Sequence, residues 1–282
     1  GYQGMIEGDF KELGPRSVNN IINKGGTILK SARSKEFMTT EGRNKAYMNL
    51  VKAGIDSLVV IGGDGSFTGA EVFNTEYGFP VMGIPGTIDN DLIGTDFTIG
   101  YDTAINNVVD AIDKIRDTAE SHERIFVIEV MGRDAGFIAI NAGIGSAAAA
   151  ILIPERKTPI DTLIEKLKTR SKAKKSSNIV IVAEGGQSGS AQQIADEVKA
   201  FLPHYDIKVT ILGHLQRGGS PTSFDRLLAS KLGVAAVEGL LQGKYDMMAG
   251  MINNKVVYTP IVKAIVDDKE VDDEDLRIAN IL

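Results

Sequence analysis

The feature that most constrains the fold is an alternation. Short apolar runs rich in β-branched residues recur along the chain: "SLVVIGG" (57–63), "FPVMGIPG" (79–86), "RIFVIEVMG" (124–132), "NIVIVAEGG" (178–186) and "KVTILGHLQ" (208–216). Each ends in Gly or a polar turn, as strands do. Between them lie segments of helical period. In 102–120, Ile105, Val108, Val109, Ile112 and Ile115 form one apolar face beside Asp110, Asp113, Lys114 and Arg116. Strands that are apolar throughout are buried on both sides, so this order predicts an α/β protein with mainly parallel sheets flanked by helices. A chain of 282 residues makes one large domain or two moderate ones.

Composition removes several function classes. There is no Cys, which excludes disulfides, thiolate zinc sites and cysteine nucleophiles. The only histidines, His122, His204 and His214, are too scattered for a histidine-rich metal cluster. A net charge of −6 argues against holding nucleic acid by the overall field, while leaving room for local anion pockets. The uncharged stretch 135–154, "AGFIAINAGIGSAAAAILIP", approaches the length of a membrane span. Its Gly and Ala content, with Asn141 and Ser146, divides it instead into a small-residue helix and a short strand. With no basic, hydrophobic signal segment at the start, a soluble cytoplasmic protein without a membrane partner is expected. The basic run 168–177 reads as a solvated turn and the acidic run 267–275 as a wet helix start.

Ligands of parallel α/β sheets gather beyond the carboxyl ends of the strands. Those ends read "GGDGS" (62–66), "PGTIDND" (85–91), "MGRD" (131–134), "EGG" (184–186) and "GHLQRGGSP" (213–221). Gly62, Gly63 and Gly65 permit positive φ and close approach to phosphate oxygens, although a tight turn after a strand explains them equally well. Asp64 among phosphates implies an intervening cation, and Mg²⁺ suits one carboxylate plus phosphate oxygens. The loop 85–91 holds more polarity than a bend requires. Asp89 can orient and deprotonate a hydroxyl while Asp91 and Thr87 fix the loop or touch a sugar; an Asx-turn is the plainer alternative. Arg133 offers a planar fork for a transferring phosphoryl group, and Arg217 with His214 a second anion clamp. Glu184 can accept sugar hydroxyls. Together these residues point to phosphoryl transfer from a nucleotide to a phosphorylated alcohol.

With "GGDGS", "PGTIDND", "VMGR" and "GHLQRGGSP" in order over nearly the whole chain, the sequence closely resembles the bacterial ATP-dependent 6-phosphofructokinases. The resemblance implies the phosphofructokinase fold of two lobes. Residues 1–100 with 213–282 would form the nucleotide-binding lobe, and 101–212 the fructose 6-phosphate-binding lobe. It implies ATP-dependent phosphorylation of fructose 6-phosphate in glycolysis with ATP and Mg²⁺. Asp89 would be the base, Thr87 and Arg133 the other catalytic residues, and Asp64 the magnesium-linked carboxylate. Thr87, Ile88, Asp89, Asp91, Met131, Gly132, Arg133, Glu184, His214 and Arg217 would line the sugar-phosphate site. Arg124 and Lys208 would reach in from a neighbouring subunit of a homotetramer. At 208 the family usually has Arg; Lys keeps the charge but loses the bidentate fork, which implies weaker sugar-phosphate binding. Tyr2, Arg33, Gly63, Asp64, Gly65 and Ser66 match positions near the nucleotide.

Pyrophosphate-using relatives typically carry Asp at position 65 and Lys at 86, so Gly65 and Gly86 favour ATP over a pyrophosphate-dependent reading. Family members open with a strand and a "GGDxPGxN"-type loop ahead of the point where this sequence starts. The strand would lie inside the sheet, and the native protein is therefore expected to have further residues. The family is often allosteric. Arg116, Lys174 and Lys175 match its basic effector positions, whereas Ala149 stands where an effector-site Glu is common. Two other readings stay open: a different "GGDG" kinase acting on NAD or a lipid, and a non-catalytic sugar-phosphate-binding subunit.

Overall fold

The computed structural model describes every residue except 120–123, 173–177, 187–188, 267–268 and 282. In chain order the elements are α1 (Tyr2–Glu7), α2 (Thr40–Lys52), β1 (Leu58–Gly62), α3 (Asp64–Tyr77), β2 (Val81–Pro85), α4 (Tyr101–Ala119), β3 (Arg124–Val130), α5 (Phe137–Gly145), β4 (Ala150–Leu152), α6 (Ile160–Lys172), β5 (Asn178–Ala183), α7 (Ala191–Phe201), β6 (Asp206–Ile211), α8 (Ser223–Leu241), β7 (Met247–Ile252), β8 (Lys255–Pro260), α9 (Ile261–Val266) and α10 (Asp273–Ile281). Single 3₁₀ turns occur at Pro15–Val18, Glu36–Met38 and Gly213–Arg217. The chain divides into two compact units. One contains residues 1–87, 92–100 and 220–269, and the other 88–91, 101–219 and 270–282.

The first unit is built on a sheet of order β1-β2-β7-β8, parallel except for the β7–β8 hairpin. The turn of that hairpin is Asn253-Asn254, both at positive φ (50° and 61°), the arrangement that matches the twist of a tight two-residue hairpin. Every residue of β2 is buried. On one side of the sheet Phe67, Ala70 and Ile261 from α3 and α9 pack with Val81 and Met248; on the other, Leu228, Leu232 and Ala236 of α8 pack with Met82 and Ile84. A further cluster joins Ile6, Phe37, Ala46, Leu50, Phe73 and Phe79. Arg43 ties α2 to α3 through a two-pronged bond to Glu76, 2.6 Å on each prong, and donates to the Phe37 carbonyl. β1 differs from its continuous apolar sequence. It pairs with β2 alone and its burial alternates, Val59 and Ile61 being exposed.

The second unit has a wholly parallel sheet of order β4-β5-β3-β6. Successive residues of β3 feed opposite faces. Ile125 and Val127 join α6 and α7 through Leu163, Leu167, Ile194 and Val198, while Phe126, Ile128 and Val130 join α4 and α5 through Val108, Ile112 and Ile138. The uncharged stretch resolves as the buried helix α5 and the strand β4, and among the described residues no helix is long and apolar enough to cross a membrane.

Residues 213–219 and 270–282, expected in the first lobe, pack in the second unit. Asn107 of α4 donates to the Gly218 carbonyl at 2.8 Å, and Val271 and Leu276 pack on the cluster formed by α4 and α5. α10 starts inside the acidic run, and α6 extends to Lys172 in the basic one.

Candidate active site

In the first unit β1 runs straight into α3 through Gly62 and Gly63, so Asp64 is the first residue of a 14-residue helix, where the helix dipole favours a negative charge. None of Gly62, Gly63 and Gly65 has positive φ, which corrects the expected reason for the glycines. For Gly62 and Gly63 the role is steric. A Cβ on Gly62 would lie 2.3 Å from Ser66 Oγ, and one on Gly63 3.1 Å from Thr87 Cβ. Around Gly65 the space is open. A Cβ on Gly86 would meet Ile61 Cγ2 at 2.9 Å, and the Gly86 amide bonds to the Gly62 carbonyl. The two loops therefore lie flush against each other. Thr87 is held from behind, its carbonyl accepting from Thr98 Oγ1 at 2.6 Å.

Tyr2 supports the same helix start. Its hydroxyl donates to the Ser66 carbonyl, its ring stacks on Phe37 with centroids 4.0 Å apart, and burial raises its pKa well above the ordinary value. Arg33 is exposed; its neighbour Ser34 bonds to Gln3 of α1 at 2.7 Å.

In the second unit Ile88 is buried among Tyr101, Val130 and Phe137 and anchors the loop 88–91. Asn90 is buried at φ 55°, and one carboxylate oxygen each of Asp89 and Asp91 is buried. Beyond β3, Gly132 (φ 154°) and Arg133 (φ 59°) make a turn that an L-residue such as Arg adopts only when held. Glu184 holds it. Its Oε1 accepts from the Arg133 amide at 3.2 Å and from the Gly132 amide at 3.4 Å. Gly185 must be small there, since a Cβ would lie 2.6 Å from the Arg133 carbonyl oxygen. The turn aims the guanidinium of Arg133 at the loop 88–91, with Nη1 3.9 Å from Asp91 Oδ2. Met131 is fixed by Gln216, which sits between the exposed His214 and Arg217 on the 3₁₀ turn.

The fold thus brings Ile88, Asp89, Asp91, Met131, Gly132, Arg133, Glu184, His214 and Arg217 to strand ends or the loop beside them. It separates Arg124 and Lys208 from these. Arg124 opens β3 and Lys208 is the third residue of β6, and Asp206 at the start of β6 accepts from Arg124 Nε at 2.8 Å and pairs with Lys208 Nζ at 2.9 Å. The Lys208 hydrogen bond, with help from Arg124, holds the Asp206 carboxyl below the usual range. Arg116 donates to the Ser146 carbonyl, and Ala149 is buried beside β5, its amide bonded to Ile179. Lys174 and Lys175 lie outside the described residues. Among the described residues no group of three or more His, Asp or Glu side chains forms a metal cage. A Mg²⁺ ion held by one carboxylate and phosphate oxygens needs no such cage, and Asp64, beside the open space at Gly65, fits that role.

Two residues that hold this geometry by hydrogen bonds, Gln216 and Asn107, were not singled out from the sequence. Gln216 carried a signal only as the one uncharged polar residue in "GHLQRGG", and Asn107 carried none on its helix.

The family model described as phosphofructokinase matches residues 1–240. An ATP-dependent 6-phosphofructokinase of Cytophaga hutchinsonii is 56% identical over 279 residues, 99% of this chain and 85% of its own. ATP-dependent 6-phosphofructokinase 1 of Thermus thermophilus is 51% identical over 282 residues, 100% of this chain and 87% of its own. Among solved structures, phosphofructokinase from Saccharomyces cerevisiae matches with a TM-score of 0.90 at 38% identity, covering 94% of this chain and 40% of the yeast chain. A pyrophosphate-dependent phosphofructokinase from Marinobacter aquaeolei shares the fold at 24% identity, TM-score 0.75, covering 88% of this chain and 68% of its own. The α/β architecture, the strand-end motifs and these matches together place the chain in the phosphofructokinase family.

Proposed function

We propose that the chain transfers the γ-phosphoryl group of ATP to the 1-hydroxyl of fructose 6-phosphate, giving fructose 1,6-bisphosphate and ADP, as a cytoplasmic enzyme of glycolysis. The observation that carries the chemistry is the arrangement Glu184–Arg133–Asp91, in which two backbone bonds and a strained turn direct a guanidinium at the loop bearing Asp89. Asp89 accepts the proton of the 1-hydroxyl as its oxygen bonds to the γ-phosphorus and the bond to the ADP oxygen breaks. Arg133 spreads the charge on the phosphoryl oxygens, and Thr87 adds a hydroxyl next in the chain to the loop. His214, Arg217, Met131 and Gly132 bind the sugar phosphate, with Glu184 reaching its hydroxyls.

The first unit is the nucleotide-binding lobe and the second the sugar-phosphate lobe. The helix start at Gly63, Asp64, Gly65 and Ser66 suits phosphate oxygens, with Tyr2 beneath it and Arg33 near the nucleotide. Mg²⁺ bound through Asp64 would neutralise charge on the phosphate chain. ATP rather than pyrophosphate as donor is supported by the open space at Gly65, which an Asp side chain would occupy, and by the 2.9 Å approach of Ile61 to a Cβ at position 86, which a Lys would disturb. The position of Arg124 at the opposite strand end, with Lys208 held beside it through Asp206, supports their use by a neighbouring copy in a homotetramer. Allosteric anions would meet Arg116, Lys174 and Lys175.

The test is a coupled assay with ATP and fructose 6-phosphate, run beside Asp89→Ser. General-base catalysis is commonly worth about 10²-fold or more, so turnover of the variant should fall by at least that factor. A loss of less than about tenfold would remove Asp89 from this role.

A further inference from the structure

We infer that Gln216 is a positioning residue that couples the two halves of the sugar-phosphate site, an inference that rests on the function proposed above. Its side chain is buried, at 1% exposure, although both its neighbours in the 3₁₀ turn face solvent. Both ends of the amide are used. Oε1 accepts from the Met131 amide at 3.1 Å, and Nε2 donates to the Gly213 carbonyl at 3.0 Å. One rigid amide thus joins the segment leaving β3, which carries Met131, Gly132 and Arg133, to the turn carrying His214 and Arg217.

Asn107 grips the same turn from α4, donating to Gly218 at 2.8 Å and to the Gln216 carbonyl at 3.5 Å. A core-filling role would need only volume. Here a polar side chain is enclosed where Leu or Met would fit, and its amide accepts from one segment while donating to the other, which an apolar or ionised carboxylate side chain cannot do.

Removing a buried partner from a hydrogen bond leaves the remaining group unsatisfied. Gln216→Leu should therefore raise the KM for fructose 6-phosphate by about tenfold or more, leave the KM for ATP within about twofold, and speed hydrogen exchange of the Met131 amide. Gln216→Glu keeps the acceptor but cannot donate to Gly213 while ionised. Its KM relative to wild type should fall as the pH drops from 8.5 to 6.5 and the introduced carboxyl, buried and therefore weakly acidic, takes up a proton. Asn107→Ala should shift the same KM in the same direction by less.

Should Gln216→Leu fail to fold, the pH-dependent rescue and Asn107→Ala carry the test. A KM for fructose 6-phosphate within twofold of wild type in folded Gln216→Leu overturns the inference, as does equal loss of all kinetic constants or no pH-dependent rescue. If the wild type does not turn over fructose 6-phosphate, the proposed function fails. Met131 exchange still decides the clamp.

Discussion

Replacement of Glu184 by Leu separates a residue that holds the site together from one that only touches substrate. Glu184 Oε1 accepts the amides of Gly132 and Arg133. Hydrogen bonds to a charged group contribute about 1.5–3 kcal/mol each when buried. The Arg133 amide is solvent-facing and the Gly132 bond is long at 3.4 Å, so about 1 kcal/mol apiece is the appropriate scale here. Against that loss stands the left-handed conformation of Arg133 at φ 59°, which costs a non-glycine residue about 1–2 kcal/mol and is recovered if the turn relaxes. Glu184→Leu should therefore destabilise the ligand-free protein by no more than about 1 kcal/mol.

In an Arg133→Gly background there is no strain to recover, and the same change should cost about 2 kcal/mol. Glu184→Gln, which retains an acceptor, should lose less than half as much. Urea unfolding of the four proteins in the double-mutant cycle measures these differences. Hydrogen exchange at the amide of residue 133 should accelerate with Glu184→Leu alone. Stability within 0.5 kcal/mol of the parent in both backgrounds, with unchanged exchange, would show that the carboxylate does not hold the turn and would return it to a purely substrate-binding role.

Two further outcomes follow from the ion pairs. Arg43 and Glu76 have side-chain exposures of 10% and 29%, and the hydrogen bond from Arg43 keeps the Glu76 carboxyl below its ordinary value of 4.5. Because the folded-state pKa is depressed, that stabilisation is present above about pH 4.5 and is lost as the pH falls through the folded value. Arg43→Met should therefore cost about 2–3 kcal/mol at pH 7, below the range for a fully buried pair, and the gap to wild type should narrow in urea melts near pH 4. A gap independent of pH would contradict it. At the other end of the second unit, Lys208→Arg should lower the KM for fructose 6-phosphate several-fold by restoring a bidentate fork, and an unchanged KM would count against that role.

Periodicity made the strands of the parallel sheets legible, because five of them are continuous β-branched runs. It missed the β7–β8 hairpin for a physical reason. "MMAGMI" of β7 owes its place to burial between β2 and β8, with Met, Ala and Gly filling the space that Phe67 and α8 leave, and its one local signal was Asn253-Asn254. Of the glycines of "GGDGS", Gly62 and Gly63 are required by contact with Ser66 and Thr87 rather than by positive φ, while Gly65 has open space around it. The approaches of Gly63 to Thr87 and of Gly86 to Ile61 join residues distant in the chain and have no local signature.

The direction of the strands contained more than was first drawn from it. In a parallel sheet every strand's first residues lie at the edge opposite its last ones, so Arg124, the first residue of β3, is separated from Met131 by the strand's own length, and Lys208, the third residue of β6 beside Phe126, lies several residues short of His214. Six residue pairs between β3 and β5, from Ile125↔Asn178 to Val130↔Ala183, keep that separation rigid. In the homotetramer proposed above, a second copy would offer its own Arg124 and Lys208 to the sugar-phosphate end, and Asp206, gripping both in the single chain, is the group they would have to leave or share. A dissociated monomer should accordingly bind fructose 6-phosphate more weakly than the assembly while binding ATP equally well. A monomer with full affinity for both would mean that the second unit completes its site without help.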